Sequence, residues 1–127
     1  MATILIIDDD PVYADMAKQR LERASHVVLV HIGPFGATVA AKNPALDLII
    51  LDIFMPALQG PDLLELIRQR MPGSLPRVLF CSSMDETPLW ELAVRHQVDG
   101  CISKSADREA FLKAIDNVLA QRAHRAH

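Results

Sequence analysis

Residues 4–11, Ile-Leu-Ile-Ile-Asp-Asp-Asp-Pro, contain the two signals from which the fold is predicted. The four apolar residues form a continuous run, which is typical of a strand buried on both faces of a parallel sheet. Asp10 followed by Pro11 indicates a helix start, because an aspartate side chain caps a first turn and proline fits the first helical position. A buried strand that leads directly into a helix predicts one βα unit.

The same alternation continues along the chain. Further apolar runs predict strands at 27–32, 46–53, 78–81 and 100–103, and helical patterns are predicted at 36–42, 60–71, 87–96 and 107–119. Five βα units predict a doubly wound parallel sheet with helices on both faces, and right-handed crossovers leave few topologies. We assign residues 1–122 to one domain and expect residues 123–127 to form a frayed tail.

Composition and charge argue against several classes of function. The chain has 127 residues, a net charge of −3 and no basic stripe, so we expect no direct nucleic-acid binding by this domain. The N-terminus lacks a basic segment and a long apolar run, so we expect neither export nor insertion in a membrane. Cys81 and Cys101 lie in predicted strands, and two buried thiols suit a reducing, cytoplasmic location.

Polar side chains follow the predicted strands. They are Asp8, Asp9 and Asp10 after the first strand, Asp52 in the third, Ser82 and Ser83 after the fourth, and Lys104 after the fifth. The carboxyl ends of parallel strands lie at one edge of a sheet, where ligands bind. Grouped carboxylates suit Mg²⁺, with Mn²⁺ as a substitute, and a lysine and a hydroxyl suit phosphate oxygens. The set indicates phosphoryl transfer, in which a carboxylate can be the nucleophile.

Each of these residues also has a simpler interpretation. Asp10 is sufficiently explained as a helix cap, Ser82 as a turn residue and Lys104 as a solvated cation. Asp52 is the hardest to explain in this way. It lies inside an apolar run, where a carboxylate without a partner is costly. The combination is therefore more specific than its members.

Four motifs resemble, in order and spacing, the receiver domains of bacterial response regulators. They are residues 4–11, Leu-Asp-Ile-Phe-Met-Pro-Ala-Leu-Gln-Gly at 51–60, Val-Leu-Phe-Cys-Ser-Ser at 78–83, and Lys104. The resemblance extends from Ile4 to about Leu119 and implies a flavodoxin-like sheet of strand order 2-1-3-4-5. Residues 100–115 are similar to the last unit of receivers attached to LuxR-type (NarL/FixJ) DNA-binding domains. That similarity implies control of transcription if a DNA-binding output domain follows in a longer protein, and the alternative is a stand-alone regulator.

The resemblance also implies roles for individual residues. Asp52 would accept the phosphoryl group from a sensor histidine kinase or phosphotransfer protein. Asp8, Asp9, Asp52 and the backbone carbonyl of Phe54 would bind Mg²⁺. The phosphate-binding and switch residues would be Ser82, Ser83 and Lys104. Phosphorylation would alter the face formed by the fourth helix, fifth strand and fifth helix, which a second copy in a homodimer or an output domain would read.

Four positions depart from the pattern of the family, and at one of them, Ser83, a small alanine is common. Cys101 stands where an aromatic residue usually reports the phosphorylated state. Phe54 and Met84 are apolar at positions that face the phosphate. Neither can orient an attacking water, so we expect slow self-dephosphorylation.

Two alternatives remain open from the sequence. Asp8, Asp10 and Val12 fit the Asp-x-Asp-x-Val pattern of haloacid-dehalogenase-like phosphatases, with Asp8 as nucleophile and Asp10 as general acid. That interpretation lacks a later acidic pair and leaves Asp52 without a role. A receiver that binds partners without phosphorylation is the second alternative, since Cys101 replaces the aromatic residue. We favour a phosphoacceptor that assists its own phosphorylation and dephosphorylation and is not an enzyme acting on a separate substrate.

Overall fold

Five strands alternate with five helices in a computed structural model, which describes residues 1–71 and 73–121. In chain order the elements are β1 (Thr3–Asp8), α1 (Pro11–Arg23), β2 (Val27–Ile32), α2 (Ala37–Ala40), β3 (Leu48–Asp52), α3 (Gly60–Arg70), β4 (Arg77–Ser82), α4 (Glu86–Arg95), β5 (Gly100–Ser103) and α5 (Arg108–Ala120). The predicted alternation of strands and helices is confirmed.

The strands form one parallel sheet of order β2-β1-β3-β4-β5, which confirms the predicted fold class and strand order. Ile4 is in register with Val28 on one side and with Leu48 on the other. Asp52, the last residue of β3, is in register with Cys81 of β4. The carboxyl ends of these strands therefore lie next to one another at one edge of the sheet.

Two hydrophobic clusters cover the two faces of the sheet. Successive side chains of a strand point to opposite faces, so β1 contributes to both clusters. Its residues Leu5 and Ile7 pack with α2, α3 and α4, whereas Ile4 and Ile6 pack with α1 and α5. The central strands are consequently buried on both sides, as the continuous apolar runs predict.

Aspartate side chains cap the first turns of α1, which follows β1, and of α5, which follows β5. The carboxylate of Asp10 accepts a hydrogen bond from the Val12 backbone N–H at 3.0 Å, and Pro11 is the first residue of α1. The carboxylate of Asp107 accepts a hydrogen bond from the Ala110 N–H at 2.8 Å, at the start of α5. Both predicted caps are confirmed, and each relieves an N–H that a helix end would leave unpaired.

Gly60 sets the start of α3 against the end of β3. A Cβ at this position would lie 2.9 Å from the Ile53 Cα and closer still to the carbonyl oxygen of Asp52. Backbone atoms cannot move aside as a flexible side chain can. The absence of a side chain at Gly60 therefore allows the helix to begin directly beside the strand end that carries Asp52.

Some sequence predictions about these elements are wrong in detail. The second helix covers only 37–40, and β3 begins at Leu48, after Asp47, whose side chain accepts a hydrogen bond from the Thr3 N–H at 2.8 Å. Cys81 is buried, but Cys101 is only partly buried because β5 is an edge strand. Within 1–71 and 73–121 no helix is long and apolar enough to cross a membrane. The predicted tail, 123–127, lies outside the described residues.

Candidate functional site

Three strand ends bring Asp8, Asp52 and Lys104 into direct contact. The Lys104 ammonium nitrogen lies 2.9 Å from Asp8 Oδ2, 3.1 Å from Asp8 Oδ1 and 3.5 Å from Asp52 Oδ1. Both aspartates are only 2% exposed. Ion pairs this well shielded from solvent are screened little by salt. The edge of the sheet therefore holds a buried cluster of opposite charges.

Asp9 completes a group of three carboxylates. One carboxylate oxygen from each of Asp8, Asp9 and Asp52 lies within 4.8 Å of the other two. In the described part of the chain, no other group of three or more His, Cys, Asp or Glu side chains is placed to hold a metal ion. Three carboxylates against the Lys104 ammonium leave an excess of two negative charges when all are ionised. Asp52 Oδ2 is buried and has no hydrogen-bond partner. An oxygen donor set with excess negative charge and an unsatisfied oxygen fits a divalent hard cation.

The electrostatics of the cluster disfavour an ionised Asp52 in the absence of such a cation. Burial, followed by the negative charge of Asp8, raises the pKa of Asp52 to about 7, and the attraction of Lys104 offsets only part of this rise. Burial alone would lower the pKa of Lys104, but its hydrogen bond to Asp8 and the charges of Asp52 and Asp8 outweigh that effect and raise it. Additional positive charge would therefore favour the carboxylate form of Asp52, which is the form that acts as a nucleophile.

The serines predicted to follow β4 differ in their surroundings. Ser82 is fully buried, its hydroxyl oxygen accepts a hydrogen bond from the Met84 N–H at 3.1 Å, and its backbone carbonyl accepts one from the Lys104 N–H at 2.8 Å. Ser83 is exposed. The hydroxyl hydrogen of Ser82 is not used in its bond with Met84, so the side chain keeps a donor for another acceptor.

Phe54 and Met84 occupy the loops that follow β3 and β4. The Phe54 side chain is 48% exposed, and Met84 is partly buried against the cluster on the α3 and α4 face. Both side chains are apolar and offer no group that would hydrogen-bond a water molecule strongly. Slow dephosphorylation therefore stays a prediction.

Sequence reasoning missed Tyr13 and the contact of Cys81 with it. The Lys104 ammonium lies 4.8 Å from the centroid of the Tyr13 ring, and the Tyr13 hydroxyl accepts a hydrogen bond from the Cys81 thiol at 3.3 Å. Burial raises the pKa of Tyr13 well above its ordinary value and that of Cys81 to about 12, so both groups are neutral. The available signal was helical spacing, because Tyr13, Ala17 and Leu21 form the buried stripe of α1.

Cys101 lines a cavity between α4 and β5. The cavity has a volume of about 370 Å³ and is also lined by Leu89, Trp90 and Ile102. Trp90 is 62% exposed. The small Cys101 side chain therefore leaves open space in the region where the family resemblance leads us to expect an aromatic ring. A larger cavity, of about 760 Å³, lies at the opposite edge of the sheet and contains none of the carboxylate cluster.

Comparison with known proteins gives concordant results. The sequence pattern of the response regulator receiver domain family matches residues 4–116. Protein PilH of Pseudomonas aeruginosa is 30% identical over 122 residues, an alignment that spans 94% of this chain and 99% of PilH. The nitrate/nitrite response regulator protein NarL of Escherichia coli K12 is 30% identical over 121 residues, spanning 94% of this chain and 55% of NarL. This chain thus matches nearly the whole length of one relative and about half of the other.

A solved structure extends the comparison to the fold. A two-component response regulator of the LuxR family from Aurantimonas superposes with a TM-score of 0.83 at 22% identity, over 97% of this chain and 88% of that chain. At 22% identity, this match shows a shared fold and nothing about function.

Proposed function

The chain belongs to the response regulator receiver domain family, and from that membership we propose that Asp52 is the residue that accepts its phosphoryl group. Receiver domains of two-component systems are phosphorylated by histidine kinases, which makes such a kinase, or a phosphotransfer protein, the partner we propose. The observation that carries the assignment is the buried, unpartnered Oδ2 of Asp52 beside Lys104 and Asp8. A buried oxygen without a hydrogen-bond partner lowers stability, so its presence in this charged cluster calls for a functional explanation.

The transfer step follows from the contacts of Asp52. An oxygen of Asp52 attacks the phosphorus of a phosphohistidine, an O–P bond forms, and the N–P bond breaks with its electron pair returning to the imidazole, which takes up a proton. Lys104 neutralises charge on the phosphoryl oxygens, as expected of a reaction that depends on positioning and electrostatics. Mg²⁺, held by Asp8, Asp9, Asp52 and the backbone carbonyl of Phe54, would supply the positive charge that the carboxylates lack.

The proposed switch begins at Ser82 and Lys104. The free donor of the Ser82 hydroxyl and the Lys104 ammonium both suit phosphate oxygens. The Lys104 N–H is bonded to the Ser82 carbonyl, so the loops after β4 and β5 are linked and would move together. The movement would alter the face formed by α4, β5 and α5, where a second copy of the chain or an output domain controlling transcription would bind. Cys101 has no aromatic ring, so the proposed switch would work without the ring rotation that is usual at this position.

The phosphatase alternative is weaker in light of the contacts of Asp10. Its carboxylate is exposed and accepts a hydrogen bond from the first turn of α1, so it is engaged as a cap and not as a general acid. The complete set of Asp8, Asp9, Asp52 and Lys104 argues against a receiver that works without phosphorylation. We therefore propose a phosphoacceptor and not an enzyme with a separate substrate. Its two unpaired cysteines are consistent with action in the cytoplasm.

The test is phosphorylation by a small-molecule donor. The protein is incubated with acetyl phosphate and MgCl₂, and intact-mass spectrometry counts the phosphoryl groups added. We expect one group on the wild type and on Asp10→Asn, and none on Asp52→Asn or after addition of EDTA. A group that persists in Asp52→Asn but disappears in Asp8→Asn would favour the phosphatase, in which Asp8 is the nucleophile, and no group on the wild type would favour the phosphorylation-independent module.

A further inference from the structure

The Lys104 ammonium rests between a carboxylate and the face of an aromatic ring. Its nitrogen contacts both oxygens of Asp8 and one of Asp52, and it lies 4.8 Å from the centroid of the Tyr13 ring. Tyr13 is 8% exposed, so little water competes for this contact. A cation over an aromatic face is attracted by the ring electrons, and more strongly where both are shielded from water.

The ring of Tyr13 is itself held in place. The buried thiol of Cys81 donates a hydrogen bond to its hydroxyl at 3.3 Å, and the ring packs in the cluster formed by β1, α1 and α5. The flexible side chain of Lys104 loses much conformational freedom when it is ordered. A fixed ring beneath the ammonium therefore restricts Lys104 to the site before any reaction takes place.

The ring differs from the carboxylates in one respect that matters for phosphorylation. Asp8 and Asp52 are members of the carboxylate group that fits a divalent cation, and Asp52 is the proposed phosphoacceptor. The face of the Tyr13 ring offers no oxygen ligand for Mg²⁺ and no carboxylate to accept a phosphoryl group. Among the described interactions of the ammonium, the Tyr13 contact is thus the one that neither binding of the divalent cation nor phosphorylation of Asp52 would break.

We propose that Tyr13 is a positioning residue whose ring holds the Lys104 ammonium at the site while it moves from Asp8 to a phosphoryl oxygen on Asp52. The proposal rests on the proposed function of Asp52. The broad face of a ring allows the ammonium to shift sideways without losing the contact, whereas a carboxylate fixes it at a defined distance. Tyr13 acts through Lys104 and is not a member of the carboxylate group at which the reaction is proposed.

The contact is tested first without metal or phosphodonor, by a double-mutant cycle on stability. Tyr13→Leu removes the ring and Tyr13→Phe keeps it, and both remove the hydroxyl that Cys81 contacts. Each is combined with Lys104→Met, which keeps the apolar stem and removes the charge, and urea unfolding is measured in EDTA. In Tyr13→Leu, we expect the effect of Lys104→Met on the unfolding equilibrium constant to be about threefold to tenfold smaller than in the wild type. In Tyr13→Phe, this effect should change by less than about twofold. A coupling for Leu as small as that for Phe would overturn the proposal.

The functional part compares phosphorylation by acetyl phosphate in proteins that keep Lys104. We expect the initial rate to fall about threefold to tenfold in Tyr13→Leu and to remain within about twofold of the wild type in Tyr13→Phe. Equal losses in both variants would assign the effect to the hydroxyl and contradict a role of the ring. Asp52→Asn is measured in parallel: if it is still phosphorylated, the proposed phosphoacceptor is wrong, while the stability cycle still decides whether Tyr13 holds Lys104.

Discussion

Replacing Asp52 by asparagine should stabilise the protein in the absence of divalent cations. Asp52 is 2% exposed, one of its oxygens has no hydrogen-bond partner, and the charge of Asp8 lies beside it. Asparagine has the same shape without the charge. The substitution therefore removes the cost of a buried, repelled carboxylate, although it also weakens the contact with Lys104.

The magnitude follows from the pKa of Asp52. Burial and the charge of Asp8 raise this pKa from its ordinary value of 3.8 to about 7. At about 1.4 kcal/mol per pH unit, the rise corresponds to an upper limit of about 4 kcal/mol. Asp52 is protonated in both folded and unfolded protein only well below pH 4, where the two proteins should differ little. As the pH rises towards 7, the unfolded chain releases this proton before the folded protein does, and the wild type loses stability that the asparagine variant keeps.

The assay is urea unfolding of both proteins in EDTA between pH 4 and pH 8. We expect the advantage of Asp52→Asn in the free energy of unfolding to grow through this range to between about 2 and 4 kcal/mol. Asp10→Asn is the matched control, because it makes the same chemical change at an exposed cap that asparagine also fills. Adding Mg²⁺ should reduce the advantage, since the wild type has the additional ligand. A variant no more stable than the wild type at pH 8 in EDTA would refute this account of the site.

Three further variants test other parts of the structure. Gly60→Ala should lower the free energy of unfolding by about 1–3 kcal/mol in urea, because its Cβ would overlap the backbone at Asp52; an unchanged midpoint would show that the strand end can yield. Phe54→Asn combined with Met84→Glu should shorten the half-life of the phosphoprotein severalfold, because groups that orient or activate the attacking water speed its reaction, by roughly 10²-fold or more where the general base is ideally placed. An unchanged half-life, followed by intact mass, would rule out this control of dephosphorylation. Asp10→Ala should cost about 1 kcal/mol of stability through loss of the cap while phosphorylation persists, and a loss of phosphorylation with intact folding would return attention to Asp10 as an acid.

The architecture was predictable because buried strands and helix caps each have a signal in a short stretch of sequence. The apolar run 4–7 predicts a strand covered on both faces, and the structure places all four residues in the core. Asp10 and Asp107 predict helix starts because the interaction they make is with their own next turn. The order of the strands required the family resemblance in addition, since alternation alone allows several arrangements.

What escaped prediction depends on contacts between distant segments. Asp47 lies in an apolar run, yet its side chain accepts a hydrogen bond from the N–H of Thr3, and β3 begins at the next residue, Leu48. Cys101 resembles Cys81 in local sequence, but only the position of β5 at the edge of the sheet leaves it partly exposed. Tyr13 lies 91 positions before Lys104, and no local pattern indicates that its ring would lie under that ammonium.

The position of the phosphoryl group is the most direct test of the central claim. The protein is phosphorylated with acetyl phosphate and MgCl₂ and then treated with borohydride, which reduces an aspartyl phosphate to homoserine, and peptide mass spectrometry locates the altered residue. Our account predicts homoserine at position 52 and at no other aspartate. Homoserine at position 8 with Asp52 intact, or phosphoprotein in which no aspartate is reduced, would contradict it.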